Sequence, residues 1–356
     1  MIDLRARAQA LRDQFAQAGA QVVDPPVLQP ADLLLDLYGE DIRGRAYVTS
    51  DAMRGEQMLR PDFTVPVVQM HMAHGAEPAR YTYAGEVFRR QETDPDRASE
   101  YMQVGYEVFE RNDPAAADAE VFSLISQAVA PLALRAATGD IGILMAAVDG
   151  LNTTQRRKAA LRRHIWRPRR FRALLDRFGG RTSVPDSRRV LLAGEISAGA
   201  PLTGLRTQDE IDTRIAALIE DKNEPPISNA EMEGLDALLA VRETLPYALS
   251  QLNDLAVDLP AIKDSVSRVA ARAEALAKRG VDVDSLEFEA SFGRTSMEYY
   301  DGFVFGFYAE SRPDLPAVAT GGRYDALTQR LGVGTAIPAV GAVLRPDLMA
   351  LLEEVA

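Results

Sequence analysis

The sequence contains no cysteine and only three histidines among its 356 residues. A chain without cysteine forms no disulfide, thiol nucleophile or zinc–thiolate cluster, so these kinds of site and scaffold are excluded. His71 and His74 are three residues apart, but no third ligand lies near them in the sequence. We therefore expect no metal site.

Long hydrophobic runs are missing as well. No apolar stretch is long enough to span a membrane, and the charged start of the chain, residues 1–7, lacks the pattern of a signal peptide. We therefore expect a cytoplasmic protein without membrane association. The contents of hydrophobic residues, 47%, and charged residues, 26%, are typical of a globular protein. The length allows one large domain with an insertion, or two domains.

Basic residues are fewer than acidic ones. The sequence has 40 lysines and arginines and 52 aspartates and glutamates, which gives a net charge of −12. Such a protein repels phosphate backbones overall, so nucleic-acid binding is not expected. One exception, the basic cluster, surrounds the single tryptophan, Trp166. Its members are Arg156, Arg157, Lys158, Arg162, Arg163, Arg167, Arg169, Arg170 and Arg172. We interpret it as a solvated helical face, with a docking surface for an acidic partner and an RNA-binding patch as alternatives.

The N-terminal region combines a helical pattern with a proline-broken segment. Apolar residues recur at helical spacing from Leu4 to Phe15, and Gly19 follows, which predicts an amphipathic helix that ends there. The segment around Pro25 and Pro26 predicts an exposed strand edge or a partner-facing element. An ordinary loop is an equal alternative.

Two alternating runs between Arg80 and Glu110 predict an antiparallel hairpin, with the charged stretch 90–97 as its loop. On the second strand, Gln103 and Glu107 share one face across a glycine. This polar face is typical of a pocket floor, and a solvent-exposed face is the alternative.

Residues 151–284 are predicted to be a mostly helical insertion. Ser228 and Glu231 fit a capping box, and a helical pattern runs from Pro260 to Gly280. Strand character returns from Leu286 to Phe292 and in the aromatic run 298–308. We therefore expect residues 1–150 and 285–356 to form one α+β core around the insertion.

Four segments carry polar groups typical of binding sites. They are Leu59–Thr64, Phe88–Arg89, Glu298–Tyr300 and Gly321–Asp325. Each is weak alone, but in this order and spacing they resemble the catalytic core of class II aminoacyl-tRNA synthetases, specifically the histidyl enzyme. The resemblance implies a mainly antiparallel sheet flanked by helices. Residues 85–89 and 103–107 resemble the second family motif, with Glu86 in place of its proline. The Pro25–Pro26 segment resembles the first motif, which implies a self-dimer.

The same resemblance implies a histidine-binding site. Its residues would be Asp62, Thr64, Arg89, Gln103, Glu107, Tyr299, Tyr300 and Tyr324. Carboxylate and amide oxygens accept hydrogen bonds from an α-ammonium group, and tyrosine hydroxyls or an acid can orient an imidazole. Asp62 occupies the position where the family has glutamate. Arg89 is suited to bidentate binding of a carboxylate.

Two arginines that the family uses on ATP are replaced. Thr295 stands at the catalytic arginine, and Leu348 stands at the ATP-binding arginine of the third motif. Arg294 and Arg345 are displaced from these positions, and in an extended strand Arg294 would point to the opposite face. Loss of one such donor removes roughly 3 kcal/mol of transition-state stabilisation. We therefore expect no synthetase activity, no catalytic residues and no cofactor.

The sequence ends directly after the third motif, so no C-terminal anticodon-binding domain is expected. A retained amino-acid site with lost ATP arginines resembles the regulatory paralogues of ATP phosphoribosyltransferase. That resemblance implies a non-catalytic subunit in histidine biosynthesis. It would assemble with a short catalytic subunit into a hetero-oligomer, support its activity and mediate feedback inhibition by histidine. The alternative is an active histidine-activating or tRNA-charging enzyme.

Overall fold

The computed structural model describes most of the chain. The described residues are 3–32, 44–91, 97–193, 203–204, 206–294, 299–332, 334 and 336–354. Thr295 therefore lies outside the described residues. Within them, no helix is both long and apolar enough to cross a membrane.

A sheet of nine strands forms the centre of the molecule. Its strands are β1 (Gln21–Val22), β5 (Ala79–Phe88), β6 (Glu100–Phe109), β7 (Arg135–Asp140), β8 (Arg242–Thr244), β9 (Glu287–Glu289), β10 (Phe303–Tyr308), β11 (Ala319–Arg323) and β12 (Ala339–Leu344). They are ordered β1-β5-β6-β12-β11-β10-β7-β9-β8. Pairing is antiparallel except between β1 and β5 and between β7 and β9.

The predicted hairpin is confirmed as β5 and β6, which pair antiparallel along their full lengths. Both of its faces are covered, because Gln103 and Glu107 are each 1% exposed and Val104 is fully buried. The polar face is therefore not solvent-exposed. Gly105 pairs with Tyr83, and a Cβ at this glycine would lie 2.1 Å from the tyrosine ring. Only glycine leaves room for that ring.

A second sheet, of three strands, lies in the N-terminal region. Its strands are β2 (Leu28–Pro30), β3 (Val48–Asp51) and β4 (Gly55–Leu59), in the order β2-β4-β3. Several large apolar side chains in and beside it are exposed, and we name them the N-terminal apolar patch. They are Val27, Leu28, Tyr47, Val48 and Met53.

Helices cover the sheet and fill most of the segment between β7 and β9. They are α1 (Leu4–Gln17), α2 (Thr64–His74), α3 (Pro114–Val129), α4 (Ile141–Gly150), α5 (Gln155–Arg163), α6 (Pro168–Phe178), α7 (Asp186–Leu192), α8 (Gln208–Asn223), α9 (Asn229–Ala240), α10 (Leu245–Asp258), α11 (Lys263–Lys278), α12 (Asp325–Leu331) and α13 (Pro346–Glu353). Short 3₁₀ turns occur at Ala130–Leu132 and Pro260–Ile262.

Three predicted helix features are confirmed. The apolar residues of α1 are buried, and Gly19 follows the helix with φ of 102°. Ser228 and Glu231 form the reciprocal bonds of a capping box at the start of α9. In the predicted helix after Pro260, a 3₁₀ turn leads into α11, and Gly280 follows with φ of 81°.

The predicted strand after Leu286 is wrong beyond Glu289. Residues 290–294 form turns, and Gly293 adopts φ of 83°, a left-handed conformation that does not occur in an extended strand. The helical region also contributes to the sheet, because β8 pairs with β9. The division into residues 1–150 and 285–356 around an insertion, 151–284, stays a prediction.

A buried ion cluster joins the helices to the sheet. Arg272 on α11 donates to Asp118 at 2.9 Å and to Asp140 at 2.7 Å. Arg323 on β11 donates to the other oxygen of Asp118 at 2.7 Å. The four side chains are at most 10% exposed. Their opposite charges neutralise one another, and we name these residues the ion cluster.

Part of the basic cluster is paired with acids. Arg157 is buried and donates to Asp221 at 2.6 Å, and Arg162 pairs with Asp149 at 3.0 Å. Arg172 pairs with Asp236. The interpretation as a solvated face is therefore wrong for Arg157, whereas Arg162 and Arg172 are 45% and 47% exposed and lie at the surface.

Candidate functional site

A cavity of about 270 Å³ opens beside the central strands, and we name it the central cavity. It is lined by Asp62, Arg89, Gln103, Tyr299, Tyr300, Tyr308, Pro316, Ala317, Thr320, Val343 and Arg345. The strands β6, β10, β11 and β12 each contribute one side chain, and the remainder come from adjoining segments. Five of the eight residues predicted to bind histidine are thereby brought together.

Acceptors form one part of the lining. Asp62 is 4% exposed and Gln103 is 1% exposed. The Oε1 atom of Gln103 is buried and has no hydrogen-bond partner among the described residues. A buried acceptor without a donor is unfavourable by about 1–3 kcal/mol, and so this atom is suited to receive an N–H group from a ligand.

Two arginines line the same cavity. Arg89 donates from Nε to the carbonyl of Pro61 at 2.7 Å, and Arg345 donates from Nη1 to the carbonyl of Ala317 at 3.1 Å. Burial lowers the pKa of Arg345, and the charge of Arg89 lowers it further. Repulsion between the two cations would be relieved by an anionic ligand group.

Sequence reasoning missed Arg345 as a cavity residue, since it was treated only as a displaced ATP arginine. The strand β12 ends at Leu344, and Arg345 is the first residue after it, immediately before α13. Its place in the segment that resembles the third family motif was the available signal.

The other three predicted residues do not line the central cavity. Thr64, Glu107 and Tyr324 form a sealed group with Tyr83, and we name it the Glu107 group. The carboxylate accepts from Thr64 at 3.0 Å, from Tyr83 at 2.8 Å and from Tyr324 at 2.6 Å. The carboxylate of Glu107 therefore receives its hydrogen bonds from within the protein.

Burial governs the protonation of the Glu107 group. Burial raises the pKa of Glu107 to about 7, although its three hydroxyl donors oppose the rise. Gly341 lies opposite in β12, and a Cβ there would stand 1.4 Å from Glu107 Oε2. The carboxylate thus occupies space that only a glycine leaves open.

Two tyrosines, Tyr299 and Tyr300, connect the central cavity to the Glu107 group. Tyr299 and Tyr300 line the central cavity, and their ring centroids are 4.6 Å apart. Each ring also lies within 6.4 Å of the Tyr324 ring, which is completely buried. The Glu107 group therefore lies directly behind the aromatic wall of the cavity.

Of the two positions expected to be lost for ATP, only Leu348 is described, and it does not line the central cavity. Leu348 is partly buried and packs against the hydrophobic core. Arg294 does not line the central cavity; its Nε donates to the carbonyl of Ile165 at 2.9 Å. The extended-strand argument for Arg294 was wrong, because residues 290–294 are turns. Across the residues that the structure describes, no cluster of three potential metal ligands occurs.

Comparison with known proteins gives consistent matches. The family model of histidyl-tRNA synthetase matches residues 3–349. The ATP phosphoribosyltransferase regulatory subunits of Brucella ovis and Brucella abortus are each 34% identical to this chain over 358 aligned residues. Both alignments cover 93% of this chain, and they cover 93% and 92% of the two relatives, respectively.

Solved structures show the same architecture. An ATP phosphoribosyltransferase regulatory subunit/histidyl-tRNA synthetase from Bacillus halodurans matches with a TM-score of 0.69 at 19% identity, covering 98% of this chain and 79% of that one. Histidyl-tRNA synthetase from Nostoc matches with a TM-score of 0.65 at 15% identity, covering 99% and 72%.

The sheet and these structural matches define a class II aminoacyl-tRNA synthetase-like fold, which confirms the predicted α+β class. The sequence matches are more specific. The chain belongs to the family of ATP phosphoribosyltransferase regulatory subunits, within the histidyl-tRNA synthetase-like proteins.

Proposed function

We propose that this protein is a non-catalytic regulatory subunit of ATP phosphoribosyltransferase that binds histidine in the central cavity. The names of its relatives support a regulatory role in histidine biosynthesis. The observation that carries the ligand assignment is the unpartnered, buried Oε1 of Gln103, in a cavity that Arg89 and Arg345 also line.

The lining suits an amino acid. Asp62 and Gln103 supply acceptors for an α-ammonium group, and Arg89 and Arg345 supply donors for an α-carboxylate. The rings of Tyr299 and Tyr300 provide an aromatic wall for an imidazole. The volume of about 270 Å³ lies just below the range of about 300–1,000 Å³ that is usual for drug-sized ligands, which favours a single small molecule.

Calorimetry with the protein and its catalytic subunit tests this assignment. Histidine should bind, whereas histamine, which lacks the carboxylate, and imidazolepropionate, which lacks the ammonium, should each bind at least about tenfold more weakly. Gln103→Leu should weaken histidine binding about 10- to 100-fold, because it removes an acceptor from a charged group. The exposed helical residue Gln127 supplies the matched control, Gln127→Leu. Equal affinities for Gln103→Leu and the control would reject the site.

We also propose that the chain has no synthetase activity. Leu348 packs against the core at one position where the synthetase family has an ATP-binding arginine, and the sequence carries Thr295 at the other. The presence of Arg89 in the cavity favours the alternative, a histidine-activating enzyme. Histidine-dependent exchange of pyrophosphate into ATP by the purified protein decides between them, and exchange that Arg89→Met abolishes would establish the enzyme.

Assembly with a short catalytic subunit, and feedback inhibition of that subunit by histidine, complete the proposal. The purified partners should co-elute as a hetero-oligomer, and phosphoribosyl transfer should fall when histidine is added. Inhibition should be lost in the complex that carries Gln103→Leu. If that complex is inhibited at the same histidine concentration as the wild type, histidine acts elsewhere. A cytoplasmic location is part of the same proposal.

A self-dimer through the N-terminal region is supported by the N-terminal apolar patch. Leu28, on β2, is 46% exposed, and Met53, in the turn between β3 and β4, is 95% exposed. Exposed apolar groups concentrated in one place mark interaction surfaces. The double variant Leu28→Glu, Met53→Glu should sediment as a monomer. Val257→Glu, on α10, is the control, because Val257 is 80% exposed outside the patch.

A further inference from the structure

A second cavity, of about 460 Å³, lies between the start of α6, the end of α9 and the turns that follow β9. We name it the Arg294 cavity. It is lined by Pro168, Leu239, Glu289, Ser291, Phe292, Gly293, Arg294 and Tyr308. Tyr308 is the residue that both cavities have in common among those described. The proposed histidine site uses none of the others.

Arg294 is a buried cation without an ion pair in the described part of the chain. It is 5% exposed, and its guanidinium lies 4.8 Å from the centre of the Phe171 ring. Nε is bonded to the carbonyl of Ile165, but Nη2 is buried and has no acceptor among the described residues. Burial lowers the pKa of Arg294 to about 10. An unpaired buried charge is strongly unfavourable, and so the site is suited to an anion.

The surroundings add further positive potential. Pro168 lines the cavity and is the first residue of α6, whose N-cap, Arg167, makes no capping hydrogen bond through its side chain. Backbone N–H groups at a helix start favour anions. Burial lowers the pKa of the nearby His164, and the charges of Arg167, Arg170 and Arg163 lower it further. Positive charge around the cavity favours an anionic ligand.

The cavity also has an apolar wall and one acid. Leu239, Phe292 and Tyr308 line it together with the polar groups. Glu289 accepts from the Ser291 hydroxyl, which lines the same cavity, and its charge is partly offset by Arg242 at 3.8 Å. The walls therefore offer contact area to an organic group.

We propose that the Arg294 cavity binds an organic phosphate. The phosphoryl oxygens accept from Arg294 and from the N-terminus of α6, and the organic part contacts Leu239, Phe292 and Tyr308. This site is independent of histidine binding in the central cavity.

The single tryptophan provides the test. Trp166 directly follows Ile165, whose carbonyl accepts from Arg294, so its fluorescence should report occupancy. The full-length protein is titrated with inorganic phosphate and with phenyl phosphate, against chloride at equal ionic strength. We expect a saturable change with both phosphates, and about tenfold tighter binding of phenyl phosphate, because its ring buries apolar surface.

Variants separate the site from general charge attraction. Arg294→Met should weaken phosphate binding about 10- to 100-fold, because a charge-assisted donor is lost. Its melting temperature without phosphate should be unchanged or higher, since an unpaired buried charge has been removed; a purely structural arginine would give a lower one. Arg162→Gln, in the basic cluster but paired with Asp149 and outside the lining, should change phosphate affinity less than about threefold.

Two outcomes overturn the proposal. One is a wild-type response to phosphate that equals the response to chloride. The other is a phosphate affinity that Arg294→Met leaves unchanged. Should Arg294→Met fail to fold, Leu239→Phe, which fills the cavity, must abolish phenyl phosphate binding. Histidine binding is measured in the same samples, so a missing phosphate response with intact histidine binding rejects this site alone.

Discussion

The ion cluster and the central cavity place arginines next to the same sheet in opposite electrostatic settings. In the ion cluster, Arg272 and Arg323 each contact a carboxylate at 2.9 Å or less. In the cavity, Arg345 bonds to a backbone carbonyl and forms no ion pair with a described residue. The first arrangement is electrostatically complete among the described residues, and we propose that a ligand completes the second.

This difference distinguishes stabilising charges from binding charges. A buried pair that is broken leaves its partner uncompensated, and the folded state becomes less stable. A buried arginine that lacks an ion pair already carries its desolvation penalty, so its removal should affect affinity more than stability. The experiments below test that distinction.

Breaking the ion cluster should have the largest effect. Arg272→Met leaves Asp140 without its cation, and we expect a loss of about 3–5 kcal/mol in the free energy of unfolding. Urea denaturation measures it. The control is Arg111→Met, since Arg111 pairs at 3.0 Å with Glu77 while about half exposed, and exposed pairs contribute about 0–1 kcal/mol. Equal losses in the two variants would contradict the comparison.

The Glu107 group should make stability depend on pH. The pKa of Glu107 is about 7 in the folded state, against an ordinary value of 4.5. The folded state therefore holds a proton that the unfolded state releases, and stability falls as pH rises from about 4.5 to about 7 and then levels off. Glu107 contributes roughly 3 kcal/mol to this fall.

Urea denaturation across that range, with wild type and Glu107→Gln, measures the contribution of Glu107. The variant should show a shallower fall. Burial also raises the pKa of Asp301 to about 7, so Asp301→Asn is the matched variant and should remove a separate part of the slope. A slope that neither substitution reduces would mean that other groups cause it.

Arg345 should show the smallest effect on stability. We expect Arg345→Met to change the free energy of unfolding by less than about 1 kcal/mol, because no ion pair is broken. Histidine affinity should fall about 10- to 100-fold, through loss of a donor to the carboxylate. Calorimetry and denaturation of the same preparation give both values. A destabilisation as large as that of Arg272→Met would place Arg345 among the structural charges.

Local patterns were predictable from the sequence because the interactions behind them are local. The first helix, the capping box at Ser228 and the hairpin each follow from residues within a few turns or one strand pair. The strand predicted through Phe292 was wrong because alternation cannot detect the turn that Gly293 makes.

Within the site, the family motifs brought together five residues of the central cavity, but they did not separate these from the Glu107 group. That separation depends on depth below the surface, which periodicity does not encode. Tyr308 at the end of β10 and Arg345 directly after β12 were missed because only the pairing of these strands through β11 brings them to one cavity. The ion cluster lay equally beyond prediction, as Arg323 and Asp118 are 205 residues apart.

The contact between Gly341 and Glu107 also restricts natural variation. With the present backbone, no side chain at position 341 can coexist with the carboxylate that now fills its place. Homologous chains should therefore change the two positions together, a larger residue at one accompanying a shorter residue at the other. Paired substitutions of this kind would identify the lineages in which the acid behind the cavity has been lost.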